Sequence, residues 1–547
     1  MRQFQLKCAS GDSVRHSRKR RHCRFHLAAA VALSTLGLLP TVQAQNSVTI
    51  KIKSTGASPI TPGFSGFNTP QPRNGVEYYD PKFLAAITPL KPGWVRYPAG
   101  TASMDFDWTV GETNSGWMNS LLDGSPPAVT GQPASILTTS AQLTQAKGGV
   151  LFSDFATFAS TLKASAIVCF NSFTDDNPGS ATQMALTAQS YGLNVLEWEL
   201  GNEAYVYPVI YPAFSDYAAA SNSYFNEILT GAPAATVGVF PAGWYAGTTN
   251  CQNPPAAPQP CYPSWDSGYS SYTPQYWNAV SDHIYPIVAN QSNQNTILAL
   301  NGILANGSTD YINSYLIPLV GANTPIFITE FNCCTQDDNP FLTYLYNGIF
   351  LAEYIARLST VPNVKAVGVN ALYTDNSDNH GLIRAVNDYE SYLLAQLAEN
   401  PNYSTDTATN PNTQFQFYRS APGLAVEVAN TAINSGTQIW PTTVSGGPTV
   451  AISGFNGDRI PAVYAQTYVS VSGRHYLLVT NKSSAAQTAT VVLNGATVQS
   501  TLNVIYVSNT SPTAANTAQS PNTVKIQTAT STNPIQLAPY SVTTVWW

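Results

Sequence analysis

The chain has 547 residues, with 24 Lys+Arg against 30 Asp+Glu and a formal net charge of −6, and is too long for one ordinary hydrophobic core, so two or more domains are expected. Eight of the basic residues and one acidic residue fall within the first 44 positions, which leaves 16 against 29, or −13, for the remainder. That balance, with no basic cluster, excludes a surface built for nucleic acid, anionic lipid or a polysulfated polymer.

The N-terminus reads as a targeting segment. "SRKRRHCRFH" is basic, Leu27 to Leu39 is apolar but too short to span a bilayer, and "VQA" at 42–44 ends in a small residue. These are the parts of a secretory signal cut after Ala44, which predicts a secreted or periplasmic protein. No later segment is apolar for long enough to predict a transmembrane helix, so no membrane partner is expected. "VTIKI" (48–52) is a short alternating strand, within a segment 45–60 expected to join the C-terminal sheet domain as an edge.

From about residue 85 to 395, β-branched runs alternate with longer helical stretches. The strands predicted are "GWVRYPA" (93–99), "SAIVCFNSF" (165–173), "VLEWEL" (195–200), "ATVGVFPA" (235–242), "VSDHIYP" (280–286), "PIFITEF" (325–331) and "VKAVGVNALY" (364–373), with "GFSGFNT" (63–69) as the first. Residues 213–231 and 339–361 are amphipathic helix candidates. Eight such strands predict a closed (β/α)8 barrel over about 61–400. Beyond 400 the chain turns Thr-, Ser-, Asn- and Val-rich, with "AVYAQTYVSV", "HYLLVTNK", "ATVVLNG", "LNVIYVS" and "YSVTTVWW" separated by turn residues. That pattern predicts an antiparallel β-sandwich over 401–547.

Five cysteines follow residue 44: Cys169, Cys251, Cys261, Cys333 and Cys334. An odd count leaves at least one unpaired, and Cys251 and Cys261 bracket a Pro-rich loop that a disulfide would staple. The histidines in this part, His283, His380 and His475, are scattered, so neither a metal site nor another cofactor is expected. The 30 tyrosines suit stacking on sugar rings.

"VLEWELGNEAYVYP" (195–208) holds Glu197, Glu199 and Glu203, three of the chain's eleven glutamates. Carboxylates this dense on an apolar run are costly to desolvate without partners. Barrel chemistry sits at the C-terminal strand ends, where Glu203 follows the fourth strand and Glu330 closes the seventh. Two facing carboxylates are what glycoside hydrolysis requires. Glu199 and Arg96 are expected to pair inside the barrel, with Glu197 deeper and structural. Cys333 and Cys334 follow Glu330 without an evident base, so they read as structural.

"WELGNE", "ITEFN" and the upstream "VRYPAGTASMDFDW" together resemble the clan A retaining glycoside hydrolases, and most of all family 79, the β-glucuronidase and heparanase-like group. "IQLAPYSVTTVWW" is similar to the closing strands of that group's C-terminal domain. The resemblance implies Glu203 as acid/base and Glu330 as nucleophile. It also implies Asn202 on the sugar 2-hydroxyl, Tyr285 against the nucleophile and Asp105 on ring hydroxyls. Tyr373, at the end of the eighth strand, is either a further sugar contact or a packing residue. One departure stands out: where the clan usually has proline after "GNE", this chain has Ala204. The implied activity is that of a monomeric, cofactor-free retaining exo-β-glucuronidase acting on a glucuronide or other glycan. A β-xylosidase, an α-L-arabinofuranosidase, an endo-acting relative and a non-catalytic carbohydrate-binding or surface protein are the alternatives.

Overall fold

A computed structural model describes residues 46–69, 78–100, 103–104, 106–114, 151–207, 210–247, 262–287, 291–306, 308–374, 378–386, 395–396, 398–400, 416–452 and 458–547. The expected signal segment, Asp105 and the Cys251–Cys261 bridge lie outside these residues.

Eight parallel strands close a barrel: β1 (Ser65–Asn68), β2 (Trp94–Tyr97), β3 (Ser165–Phe170), β4 (Val195–Leu200), β5 (Val237–Val239), β6 (Ala279–Ile284), β7 (Ile326–Phe331) and β8 (Val364–Val369). Each pairs with its neighbour in sequence, and β8 returns to β1 through Val367 beside Ser65. Seven lie within the predicted runs, and β6 begins one residue before its run. Residues that share a face recur every second position along a strand, and the barrel interior is layered accordingly. Trp94, Ile167, Ala279, Phe327 and Ala366 make an apolar layer. Two positions further on stand Arg96, Cys169, Ser281 and Thr329, all buried. The interior therefore turns polar toward the C-terminal strand ends, where the carboxylates are.

Outside the strands, Phe214–Gly231 and Leu345–Leu358 are helices, as the amphipathic pattern predicts. Among the described residues no helix is long and apolar enough to cross a membrane.

The C-terminal part packs two sheets face to face. One runs 438–440, 463–469, 475–481, 541–546, 502–508 and 526–531, with Ser58–Pro59 on its edge; the other holds 442–446, 47–52, 487–493 and 496–497. Val48, Ile50 and Ile52 face Val463, Leu477, Val479 and Val545 between them. The strand Ser47–Ile52 is not the edge strand expected: it pairs antiparallel with 442–446 on one side and parallel with 487–493 on the other. Its alternating pattern is that of any half-buried strand and does not reveal how many partners it has.

A helix, Ala421–Ile433, interrupts the region read as strands only, and every one of its residues is buried. Ser420 caps it, accepting from Gly423 N at 3.1 Å. Thr544 Oγ1 donates to Val428 O at 2.6 Å, tying the helix to the larger sheet. An apolar run buried on all sides has no amphipathic period to announce a helix.

Candidate active site

Glu203 and Glu330 both reach the C-terminal rim of the barrel. β4 ends at Leu200, and the turn that follows puts Glu203 in the left-handed region, with φ 45°. A non-glycine residue there carries backbone strain of the kind found at functional sites. A short 3-10 turn, Ala204–Val206, continues the chain. Glu330 sits within β7, one residue before its end. Both side chains reach solvent, Glu203 with 20 % and Glu330 with 12 % of its surface exposed, whereas Arg96, Glu199 and His283 beside them are fully buried.

The two carboxylates have different surroundings. Glu330 accepts from Arg96 Nη1 at 2.7 Å on Oε1 and from the Tyr285 hydroxyl at 2.8 Å on Oε2. Burial pushes its pKa up, but the charges of His283 and Arg96 and the bonds from Tyr285 and Arg96 outweigh that and hold it below the ordinary glutamate value. Glu203 has both of its bonds on Oε1, from Tyr205 Oη at 3.0 Å and with His283 Nδ1 at 2.9 Å.

His283 links the pair. Its Nδ1 lies 2.9 Å from Glu203 Oε1 and 3.8 Å from Glu330 Oε2, which caps the separation of those two oxygens at the sum, about 6.7 Å. Its Nε2 meets Thr329 Oγ1 at 3.1 Å. Burial lowers the His283 pKa, but Glu330 and the bond and charge of Glu203 raise it further, so the net direction is up. The imidazole is thus biased toward the cationic form.

Arg96 organises the floor. Nε donates to Glu199 Oε2 at 2.5 Å, Nη2 to Asn202 Oδ1 at 2.8 Å and Nη1 also to Asn68 Oδ1 at 3.3 Å. Asn370 Nδ2 donates to the Tyr285 hydroxyl at 2.8 Å, so that oxygen accepts from Asn370 and donates to Glu330. Arg96, Glu199, Asn202, Glu203, Tyr285 and Glu330 therefore come together. Tyr373 does not join them: it is 1 % exposed and its ring packs edge-on against Phe83 and Phe417. Of its two readings, packing is the one its surroundings match.

His283, Asn68, Asn370 and Tyr205 are site residues absent from the sequence reading. For His283 the signal was present: "DHIYP" sets it two residues before Tyr285, on the same strand face. Cys333 and Cys334 are buried with their sulfurs 2.7 Å apart, and burial raises the Cys333 thiol far above its usual value, so no thiolate nucleophile is poised there. Asp337, Asp378 and His380 cluster nearby. His380 uses both ring nitrogens, Nδ1 toward Asp378 at 2.7 Å and Nε2 toward Cys334 O at 2.9 Å. Burial opposes its charge, but Asp378 raises its pKa to about 9. An imidazolium paired in this way is an ion-pair partner and has no lone pair for a metal.

No family model and no curated protein sequence matches this chain. Solved structures with a similar fold do. A family 51 α-L-arabinofuranosidase from Thermotoga petrophila RKU-1 aligns over 92 % of this chain and 100 % of its own, with a TM-score of 0.61 at 16 % identity. A family 44 xyloglucanase from Paenibacillus polymyxa covers 92 % and 99 %, with a TM-score of 0.54 at 13 % identity. A 4-O-α-L-rhamnosyl-β-D-glucuronidase from Fusarium oxysporum 12S covers 91 % and 100 %, with a TM-score of 0.54 at 13 % identity. At these identities the likeness is one of fold: a closed barrel carrying a C-terminal sheet domain.

Proposed function

We propose that this chain is a retaining exo-glycosidase, with Glu330 as nucleophile and Glu203 as acid/base, that removes terminal β-glucuronosyl residues outside the cytoplasm. The observation that carries the mechanism is the pair itself. Two partly exposed carboxylates share one histidine, and their facing oxygens are at most about 6.7 Å apart. That bound admits the spacing of about 5–5.5 Å at which retaining enzymes hold their carboxyl groups and reaches only the lower edge of the about 6.5–9.5 Å of inverting ones, so the configuration of the product decides between them.

The roles follow from the surroundings. Glu330, held ionised by Arg96, Tyr285 and His283, attacks the anomeric carbon. The aglycone oxygen leaves with the proton of Glu203, and a glycosyl ester forms on Glu330. Glu203 then takes a proton from water, whose oxygen attacks the same carbon and releases Glu330. Asn202, oriented by Arg96, is placed to bond the 2-hydroxyl of the sugar.

Support for the sugar comes from chemistry at the rim. Tyr205, Tyr245 and Tyr262 cluster beside Glu203, with ring centroids 5.5–6.0 Å apart. Hydroxyl and amide donors can capture one uronate, each charge-assisted bond contributing about 1.5–3 kcal/mol. A long polysulfated chain would be repelled by a net charge of −13. The glucuronide-cleaving neighbour from Fusarium adds to this reading, while the arabinofuranosidase neighbours support the alternative. A panel of nitrophenyl glycosides tests it. Turnover of the β-glucuronide above all others is expected; a preference for the α-L-arabinofuranoside moves the protein to that alternative, and no turnover of any glycoside contradicts the enzyme reading.

A further inference from the structure

Glu197 stands deeper in the barrel than the reacting pair, and the mechanism above makes no use of it. Its side chain is wholly buried. Ser281 Oγ donates to its Oε1 at 3.0 Å. Gly238 on β5 makes the room: a Cβ there would stand 2.2 Å from Glu197 Oε1 and 3.1 Å from Ser281 Oγ. The site is therefore shaped around this carboxyl group.

Among the described residues, two oxygens of this layer lack a hydrogen-bond partner, Glu197 Oε2 and Glu199 Oε1. Their residues are two apart on β4 and so project from one face, with Cα atoms roughly 6.6 Å apart. Two ionised carboxylates cannot satisfy each other, but an acid and a carboxylate can, because the acid supplies one O–H donor. The charge count agrees. Arg96 is the guanidinium of this layer, already engaged with Glu199, Glu330, Asn202 and Asn68. The titratable groups acting on Glu197 are Glu199 on its own strand and Arg96 on β2, while β5 and β6 present Gly238 and Ser281, which do not ionise. An ionised Glu197 would add a wholly buried carboxylate to Glu199 and Glu330, which already share Arg96, and that is costly. Burial first, and then the charge of Glu199, push its pKa far above the ordinary value against weaker opposition from Ser281 and Arg96.

We propose that Glu197 is a neutral carboxylic acid whose Oε2–H donates to Glu199 Oε1, and that through Glu199 it positions Arg96 against Glu330. The chain of contacts runs from acid to carboxylate to guanidinium to the reacting carboxylate. The proton stays on Glu197 throughout turnover. Glu197 is thus a positioning residue, and its importance for rate rests on the proposed role of Glu330.

Infrared spectroscopy of the full-length protein at pH 7 tests the protonation without reference to activity. The wild type should show the carbonyl stretch of a protonated carboxyl that Glu197→Gln lacks; identical spectra in that region overturn the proposal. Kinetics test the positioning. Glu197→Gln keeps a donor of the same shape, and should retain kcat and the acid limb of the pH profile within twofold and about 0.3 unit. Glu197→Leu deletes the donor, and should lower kcat tenfold or more with little change in KM while moving the acid limb to higher pH. Equal damage in both variants, or none in Glu197→Leu, contradicts the positioning role. If Glu197→Leu does not fold, the isosteric Gln comparison still decides. If no glycoside is turned over, the infrared result stands alone, so the protonation and the glycosidase reading fail separately.

Discussion

His283 Nδ1 bonds Glu203 at 2.9 Å and stands 3.8 Å from Glu330, so one buried imidazole touches both carboxylates of the candidate site. A change at either carboxylate can therefore reach the other through a shared neighbour.

The first prediction removes that neighbour. With a raised pKa, His283 is biased to the cation and helps hold Glu330 below the usual glutamate range. The rate falls on the acid side as Glu330 is protonated. His283→Gln, which keeps a donor but no charge, should therefore move the acid limb of kcat/KM to higher pH and lower the rate by roughly 10–100-fold, about 1.4–2.7 kcal/mol. A pH–rate profile of the variant checks this; an unmoved limb means that His283 does not tune Glu330. The linkage for folding has the opposite dependence. A group whose folded pKa is raised contributes stability below its unfolded pKa and loses it as pH rises through the folded value.

The second concerns backbone room. A Cβ on Gly100 would lie 2.4 Å from Glu330 Oε1, 3.2 Å from Asn202 Oδ1 and 3.3 Å from Arg96 Nη1. Gly100→Ala must displace the reacting carboxylate, and displacements of about 1 Å can cost about 10²-fold in rate. Turnover should fall by at least that factor while the thermal midpoint moves little. Near-wild-type turnover would show that Glu330 need not occupy this position.

A third prediction tests the joint between barrel and sheets. Glu353, on the helix Leu345–Leu358, is fully buried and accepts from Lys482 at 2.6 Å, Arg357 at 2.7 Å and Thr480 at 2.6 Å. Burial raises its pKa, but Lys482 and Arg357 more than reverse this, leaving it below the ordinary value. Its stabilisation is therefore present above the unfolded pKa and lost as pH falls through the folded one. Lys482→Met removes one partner and should cost about 3–5 kcal/mol by urea titration at neutral pH. A loss under 1 kcal/mol would mean that Arg357 and Thr480 suffice.

Much of this molecule was legible in the sequence. Barrel strands are almost wholly buried, so most read as short, largely apolar runs, and eight such runs located all eight strands. The two carboxylates were legible because an acidic residue at the end of an apolar run has few structural reasons to be there. The buried helix Ala421–Ile433 was not, since burial on every side erases the amphipathic period. His283 was missed for a different reason: its place two residues before Tyr285 puts it on the same strand face, but its importance lies in contacts with Glu203 and Glu330, 80 and 47 positions away. Glu197 and Glu199 look alike in sequence. Only the pattern of bonded and unbonded oxygens separates them, Glu199 facing Arg96 and Glu197 facing Ser281.

A fourth prediction addresses the sugar. The β-glucuronide and the β-glucoside differ only in a carboxylate against a hydroxymethyl group. Donors arranged for a carboxylate are left unpaired by the glucoside, and such sites discriminate by about 10⁴–10⁵-fold. Comparing kcat/KM for the two nitrophenyl substrates should show a preference of that order for the glucuronide. Equal values would remove the uronate from the account and leave the mechanism untouched.

The central claim is the division of labour between Glu330 and Glu203, and azide rescue of Glu203→Ala addresses it most directly. With a nitrophenyl glycoside, whose leaving group needs little protonation, the variant should still form the glycosyl ester on Glu330 but hydrolyse it slowly for want of a base, with a rate deficit of about 10²–10⁴-fold. Azide needs no base and fits the space vacated by the side chain. The rate should recover with azide concentration, and the product, identified by NMR, should be the β-glycosyl azide of retained configuration. An α-glycosyl azide, or no rescue at any azide concentration, would contradict the account.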